Sequence, residues 1–388
     1  MQIPWSGKSY NFLYKEIKYL TNFLSYSKTL TQGNELKLFE KSLRKYLGKE
    51  NIFCLSSAAS ALEIIATFLN IKKGDEIIIP AHTYCASAIP FARLGAKIVW
   101  ADIDLNTRVI DLDDVKKKIN KKTKAILIVH LNGYAVDVNK FKKINKRIKI
   151  IEDCAQAFGA EIKKKKAGTL GDFSCFSFHA QKNLTTLGEG GAIYVKNNLL
   201  AKKVPGLRHN GHCGYKKRKF FWKPAMGNVD QDLSYAWPYK FTLSEIQCAA
   251  GRLVLKRINS LNHKRITIAK KIISELKHIR ELKFHSCFEE KRRHVYHLLN
   301  AYVVPNKKVN KNKLIEILNK KFRIRCIVQY YPLYKYPLFK KFGQSGQGCK
   351  NAEKFYKNMI SFPFHMWMTD RDVNYMINSI KKVYNFKK

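Results

Sequence analysis

The sequence predicts an α/β protein: a large domain on a mainly parallel, mixed sheet flanked by helices, followed by a smaller C-terminal α/β domain. Three observations lead there. Short apolar runs of strand length alternate with longer segments of helical spacing through the first half of the chain, which is how a parallel sheet covered on both faces reads. With 388 residues, 46% of them hydrophobic, there is enough apolar material for roughly two or three packed domains. Past residue 260 the pattern changes to long helices and then a fresh strand–helix alternation, so the division is placed at residues 1–260 and 261–388.

In chain order, residues 1–35 form a helical arm in which Tyr10 to Leu24 mixes aromatic and apolar positions. Leu36, Leu38, Phe39, Leu43 and Leu47 mark a helix over 35–47. Phe53 to Leu55 is a short strand, and Ser56 and Ser57 are cap candidates for a helix over 58–69. A strand over 76–79 is stopped by Pro80, and a helix over 83–94 is interrupted near Pro90. Strands are expected over 97–101, 124–129 and 148–152, with a short helix over 112–119. Phe173 to Phe178 and Ala192 to Val195 are two further strands, and Gly211 to Asn228 is a basic, aromatic loop without periodicity. Helices follow over 243–258 and 263–276. The second domain carries a strand over 297–304, a helix over 311–320, the apolar run 324–331, and helices over 349–359 and 369–383.

Lys plus Arg number 73 against 29 Asp plus Glu, a formal charge of +44. Such a balance suits nucleic acid, an anionic membrane surface or anionic small substrates. The lysines are spread along the whole chain, however, and accompany abundant Asn, Ile, Tyr and Phe, as AT-rich coding favours; a dedicated nucleic-acid binder concentrates its cations. The nine cysteines are scattered with no Cys-x-x-Cys pair, which reads as free thiols in a reducing compartment rather than a metal or disulfide frame. No apolar run reaches about 18 residues and the start is not of signal type, so a cytoplasmic protein is expected.

The chemistry centres on Gly171 to Gly191, GDFSCFSFHAQKNLTTLGEGG. It places a lysine in a tight polar loop between two buried strands, a poor way to solvate a charge and a good way to hold an amine at a pocket floor. The segment closely resembles the cofactor-lysine segment of the DegT/StrS sugar aminotransferases, pyridoxal-phosphate (PLP) enzymes of fold type I, in which S-F-H-x-x-K is followed by G-E-G-G. The resemblance runs from about residue 35 to about residue 385. It implies the fold type I architecture, PLP as cofactor, and Lys182 as the residue that carries it and shuttles protons.

Other motifs appear in the family's order. IIEDCAQAFGA (150–160) resembles E-D-x-A-Q-x-x-G-A. Asp153 would hold the pyridine nitrogen protonated, and Gln156 would stand at the ring's hydroxyl side; alone, a strand-end aspartate is more often a helix cap. LSSAASAL (55–62) resembles the phosphate-binding turn S-G-T-A-A-L, with Ser57 matched and Ala58 and Ala59 replacing Gly-Thr, so the backbone N–H groups carry more of the phosphate binding. Ser177 matches a phosphate-binding serine and Tyr84 the aromatic residue that stacks on the ring; His179 is expected beside the site and His130 in the core or at the pocket rim. YKFTLSEIQCAA (239–250) resembles G-x-N-x-R-M-S-E-I-Q-A-A, a segment that crosses the dimer interface. Lys240 stands where an asparagine reaches the partner subunit's cofactor phosphate, and Thr242 replaces the arginine. YYPLY (330–334) and FPFHMWMTD (362–370) resemble small-domain segments that close the substrate side.

The resemblance thus implies a homodimer with shared sites that moves an amino group, by family habit from L-glutamate, to a keto-sugar, most often a nucleotide-linked 4-keto-6-deoxy sugar. The basic loop from Gly211 to Lys223 is a candidate for contacting its diphosphate. Cyclitol ketones and eight-carbon keto sugars remain open as acceptors. A non-catalytic, nucleic-acid-binding relative is the reading from another class; it predicts a damaged cofactor site and steeply salt-dependent binding.

Overall fold

A computed structural model of the protein describes residues 2–6, 11–212, 233, 236–285, 291–306, 309–346 and 348–385. Five strands come first: β1 (Ile52–Leu55), β2 (Glu76–Pro80), β3 (Lys97–Ala101), β4 (Thr123–Val129) and β5 (Lys149–Asp153). A hairpin of β6 (Glu161–Ile162) and β7 (Lys165–Lys166) precedes β8 (Phe173–Ser177) and β9 (Gly191–Val195). The last four are β10 (Leu282–Phe284), β11 (Arg292–Arg293), β12 (Leu299–Val303) and β13 (Met359–Phe362).

The central sheet runs β1-β9-β8-β5-β4-β2-β3. Pairings from β8 through β5, β4 and β2 to β3 are parallel, while β9 is antiparallel to both β8 and β1. The mainly parallel, mixed sheet read from the sequence is therefore present. Its middle strands are buried on both faces, which is why β2 and β4 read as unbroken runs of Ile, Leu and Val rather than alternating ones. The helix Ala58–Phe68 lies against this sheet through Ala61, Leu62, Ile65 and Ala66. A separate apolar cluster unites Ile272, Leu276, Ala301, Leu314, Met376 and Ile380 around the antiparallel sheet β10-β12-β13. Ile3 joins that cluster, because the N-terminal segment bridges Ile324.

The differences from the sequence expectation are local. The segment 83–94 divides into a 3-10 turn, Cys85–Ser87, and a helix, Ile89–Arg93, with Pro90 in the first turn, where its missing N–H costs nothing. The second long helix begins at Ile258 rather than His263. The run 324–331 makes only isolated bridges, at Ile324 and Ile327. β13 is hidden at the end of a segment with helical spacing: the helix stops at Asn358 and the next four residues enter the small sheet, all buried.

Candidate active site

Strands β4, β5 and β8 end on one cavity of about 420 Å³, to which they contribute Val129, Asp153 and Ser177. This is the carboxyl edge of a parallel sheet, where such folds place ligands. Of the residues singled out in the sequence, Ser57, Ala58, Ala59, Tyr84, Asp153, Gln156, Ser177 and Lys182 all line it, as does His179. Lys240 does not. It is exposed and bridges His209, away from this chain's own cavity.

The turn at Ser57 is built by capping. Ser57 Oγ accepts from the Ser60 N–H at 3.0 Å, which leaves the N–H groups of Ala58 and Ala59, the first helical residues, without intrahelical acceptors. They line the cavity at the positive end of the helix. The turn sits so close to the start of β9 that a Cβ on Gly191 would lie 2.3 Å from the Ser57 carbonyl carbon and 2.6 Å from the Ala58 nitrogen. That explains the last glycine of the G-E-G-G signature.

The lysine loop closes on the same signature. Phe178 N–H donates to Gly190 O at 2.7 Å, Ala180 N–H to Gly188 O at 2.7 Å, and Thr186 Oγ1 to Glu189 O at 2.7 Å. Gln247 Nε2 adds a bond to Glu189 O at 2.8 Å. Within this frame Lys182 is hemmed in, and burial lowers its pKa to about 8 against an opposing pull from Asp153 and Cys175. Its Nζ lies 3.4 Å from His297 Nε2. Burial first, then Lys182 and Arg265, hold the His297 imidazole well below its ordinary pKa, so it faces the amine as a neutral ring.

Asp153 Oδ2 accepts from Ser87 Oγ at 2.8 Å and Oδ1 from the Ala155 N–H at 3.0 Å. The second bond is the turn-capping role common to strand-end aspartates; the first orients the carboxylate in the cavity wall. Gln156 is fixed by the Asn132 N–H, which donates to Oε1 at 2.8 Å, and donates from Nε2 to the Tyr330 hydroxyl at 3.0 Å. Tyr84 is 57% exposed at the mouth, its ring centroid 6.1 Å from that of Tyr330. His130 is a core residue. Its Nδ1 accepts the Val136 N–H at 2.9 Å, so the proton is on Nε2, which donates to Glu152 at 2.9 Å. His130, Glu152 and Cys154 cluster closely enough to suggest a metal, but both ring nitrogens are already engaged.

Sequence reasoning missed Ser87, His297 and the individual role of Tyr330. Only Tyr330 carried a signal, as part of the YYPLY segment. In the dimer-interface motif, Glu245 acts inside its own chain. Its carboxylate accepts from the Glu35 and Leu36 N–H groups at 2.7 and 3.2 Å and so caps the helix Asn34–Leu47. The basic loop 211–223 lies, apart from Gly211 and His212, outside the described residues.

These residues fit PLP. Lys182 offers a part-buried amine of lowered pKa, Asp153 would offer a carboxylate to the ring nitrogen, and the turn at Ser57, with Ser177, would offer donors to the phosphate. When bound, PLP supplies an aldehyde that bonds to an amine and a ring that draws electrons from the attached carbon. With PLP in place, Lys182 would hold or move the proton, Asp153 would face the ring nitrogen with its carboxylate, Tyr84 would lie over the ring at the cavity mouth, and Tyr330 would close the inner wall.

Comparison with known proteins gives the arrangement its class, a PLP-dependent aminotransferase. The chain belongs to the DegT/DnrJ/EryC1/StrS aminotransferase family, whose model matches residues 13–381. It is 30% identical over 359 residues to UDP-4-amino-4,6-dideoxy-N-acetyl-beta-L-altrosamine transaminase of Campylobacter jejuni, covering 90% of each chain. It is 27% identical to GDP-perosamine synthase of Vibrio cholerae, covering 95% of this chain and 96% of that one. Among solved structures, the PLP form of the sugar-aminotransferase candidate Spr1654 from Streptococcus pneumoniae superposes with a TM-score of 0.88 at 28% identity, covering 99% of this chain and 98% of that one.

Proposed function

We propose that the enzyme transfers the amino group of L-glutamate to a keto-sugar, a nucleotide-linked 4-keto-6-deoxy sugar, for amino-sugar and surface-polysaccharide synthesis in the cytoplasm, working as a homodimer with shared sites. The observation that carries the reading is Lys182, an amine of lowered pKa on the floor of a cavity that Asp153 and the Ser57 turn also line. The nature of the acceptor rests on the relatives, one named as a GDP-perosamine synthase and another as the transaminase of a UDP-linked amino sugar. A second subunit is supported by the arm, where Tyr14, Ile17, Leu24, Tyr26 and Leu30 are each more than half exposed, an apolar surface that a partner would cover. Among the described residues no helix is long and apolar enough to cross a membrane. Cyclitol and eight-carbon keto sugars are the alternative acceptors. The gathering of Asp153, Lys182 and Ser177 on one cavity, with the Gly188-Glu189-Gly190-Gly191 turn beside them, weighs against a non-catalytic nucleic-acid binder.

The test is the visible spectrum of protein purified with PLP, beside Lys182→Ala, before and after L-glutamate, followed by a panel of nucleotide-linked keto-sugars. A cofactor band that is absent in the variant and bleaches with glutamate in the wild type supports the reading. The same band in both proteins would show Lys182 to be misassigned, and no band in either would end the enzyme reading.

A further inference from the structure

A second, smaller cavity of about 90 Å³ shares Gln181, Lys182, Gln329 and Tyr330 with the cofactor cavity. Its other walls include Arg265, His297 and the N-terminal residues Trp5 and Ser6. Arg265 is 3% exposed. Its guanidinium donates from Nη1 to Tyr296 O at 3.2 Å and lies 5.6 Å from the centre of the Phe364 ring. Among the described residues no carboxylate pairs with it, and its remaining N–H groups have no hydrogen-bond partner. Burial alone lowers its pKa, to about 10, with no acid to offset it. His297 is also buried, and its Nδ1 has no partner. A buried cation without a counter-ion is costly to keep, since desolvation is repaid only by a matching anion.

We propose that Arg265, with His297 and Ser6 beside it, forms the subsite that holds a carboxylate of the amino donor, next to the amine of Lys182. The inference rests on the aminotransferase reading and specifies where that reaction's first substrate binds. The guanidinium matches a carboxylate's planar, two-oxygen geometry. The cavity has room for a carboxylate and a few carbons but not for a nucleotide-linked sugar, which assigns the sugar to the larger cavity. Gln181 Nε2 donates to Ser6 Oγ at 3.2 Å, so the N-terminal segment shuts the subsite from one side and limits the donor's length.

The test uses the PLP-loaded enzyme and two variants, Arg265→Gln and Arg265→Lys. The L-glutamate half-reaction is followed by the cofactor band. Glutarate, which has two carboxylates but no amine, serves as an inert probe, its binding read by competition and by melting temperature. In Arg265→Gln the glutamate concentration for half-maximal rate should rise about tenfold to a hundredfold, as expected for losing a charge-assisted pair, with a much smaller change in maximal rate. Arg265→Lys should recover part of the loss, and glutarate should compete in the wild type but not in Arg265→Gln. Unchanged half-saturation, or a penalty that falls on the keto-sugar instead, overturns the proposal. If Arg265→Gln does not fold, the wild type and Arg265→Lys decide: glutarate must compete with glutamate in the first and more weakly in the second, and failure of either overturns it. A protein with no cofactor band sinks the aminotransferase reading, which is a distinct result from an intact band with an unaltered glutamate response.

Discussion

Gly191→Ala tests whether the start of β9 positions the phosphate turn. The added Cβ would lie 2.3 Å from the Ser57 carbonyl carbon and 2.6 Å from both the Ser57 oxygen and the Ala58 nitrogen. Carbon contacts settle at about 3.5–4.0 Å, so the turn must retreat by about 1 Å. All three atoms are backbone, and no flexible side chain can give way. Overpacking of this kind costs about 1–3 kcal/mol in stability. The larger effect falls on the cofactor: the Ala58 and Ala59 N–H groups move with the turn, and each misaligned bond to a charged group forfeits about 1.5–3 kcal/mol. PLP affinity, measured by titrating the apoprotein and following the visible band, should weaken by about tenfold to a hundredfold. Gly74→Ala is the control. Gly74 has φ +94° and nothing within 4 Å, so that variant carries backbone strain of about 1–2 kcal/mol without touching the site. It should melt earlier and bind PLP normally. If Gly191→Ala binds PLP like the wild type, the contact between β9 and the turn does not set the phosphate site.

Lys182→Met should stabilise the apoprotein at neutral pH. The native pKa of about 8 lies below the 10.5 of a free lysine, so the native state disfavours the proton. This penalty is complete below pH 8 and fades as pH rises from 8 through 10.5. At 1.36 kcal/mol per unit it is at most roughly 3 kcal/mol, and partial access to solvent reduces it to about 1–2. The melting-temperature gain should shrink between pH 7 and pH 10; an equal gain at both would show that the charge is not its origin. Asp153→Asn and Glu152→Gln should separate function from stability. The first should fold normally and lose about a hundredfold or more in turnover. The second puts an amide NH2 against a cage of N–H donors and loses their charge-assisted bonds, which should lower stability by about 3–5 kcal/mol, while its folded fraction binds PLP within a few-fold of the wild type. Equal stability losses in the two variants would contradict the division.

The parts of the site legible in the sequence are those that the chain brings together locally. Ser57 precedes the helix it caps, Asp153 ends a strand, and Lys182 lies between two strands that pair as a hairpin, so each announces itself by position. His297 meets Lys182 across 115 positions of sequence, and Arg265 lies in the middle of the long helix Ile258–Leu276, where nothing distinguishes it from the many other cations of this chain. Folding of the C-terminal part gives Arg265 its contacts with Tyr296 and Phe364, and its packing against the lysine loop brings His297 to Lys182. The interface motif shows the opposite limit. Its Glu245 and Gln247 read as dimer signature, yet both act within their own chain, one capping the helix Asn34–Leu47 and the other holding the Gly-Glu-Gly-Gly loop.

The adjacent acids at the end of β5 show how a two-residue motif divides its labour. Strand alternation sends neighbouring side chains to opposite faces. Glu152, fully buried, accepts from His130 Nε2 and from the N–H groups of Gly168, Leu170 and Gly171 at 2.5–2.9 Å. Burial opposes its charge, but the bonds from His130, Gly168 and Gly171 outweigh it and lower the pKa. This carboxylate is saturated: it pins the loop before β8 to β5, and through His130 it pins the end of β4. Asp153 receives neutral donors, Ser87 Oγ, the Ala155 N–H and the Cys175 thiol, and no cation is bonded to it among the described residues, so its field reaches Lys182 across the cavity. Exchanging the two residues would keep the composition and net charge of the strand while placing the longer side chain in the cavity and the shorter one in a cage built for glutamate. The double variant Glu152→Asp with Asp153→Glu should therefore lose both stability and PLP affinity, which composition alone would not predict.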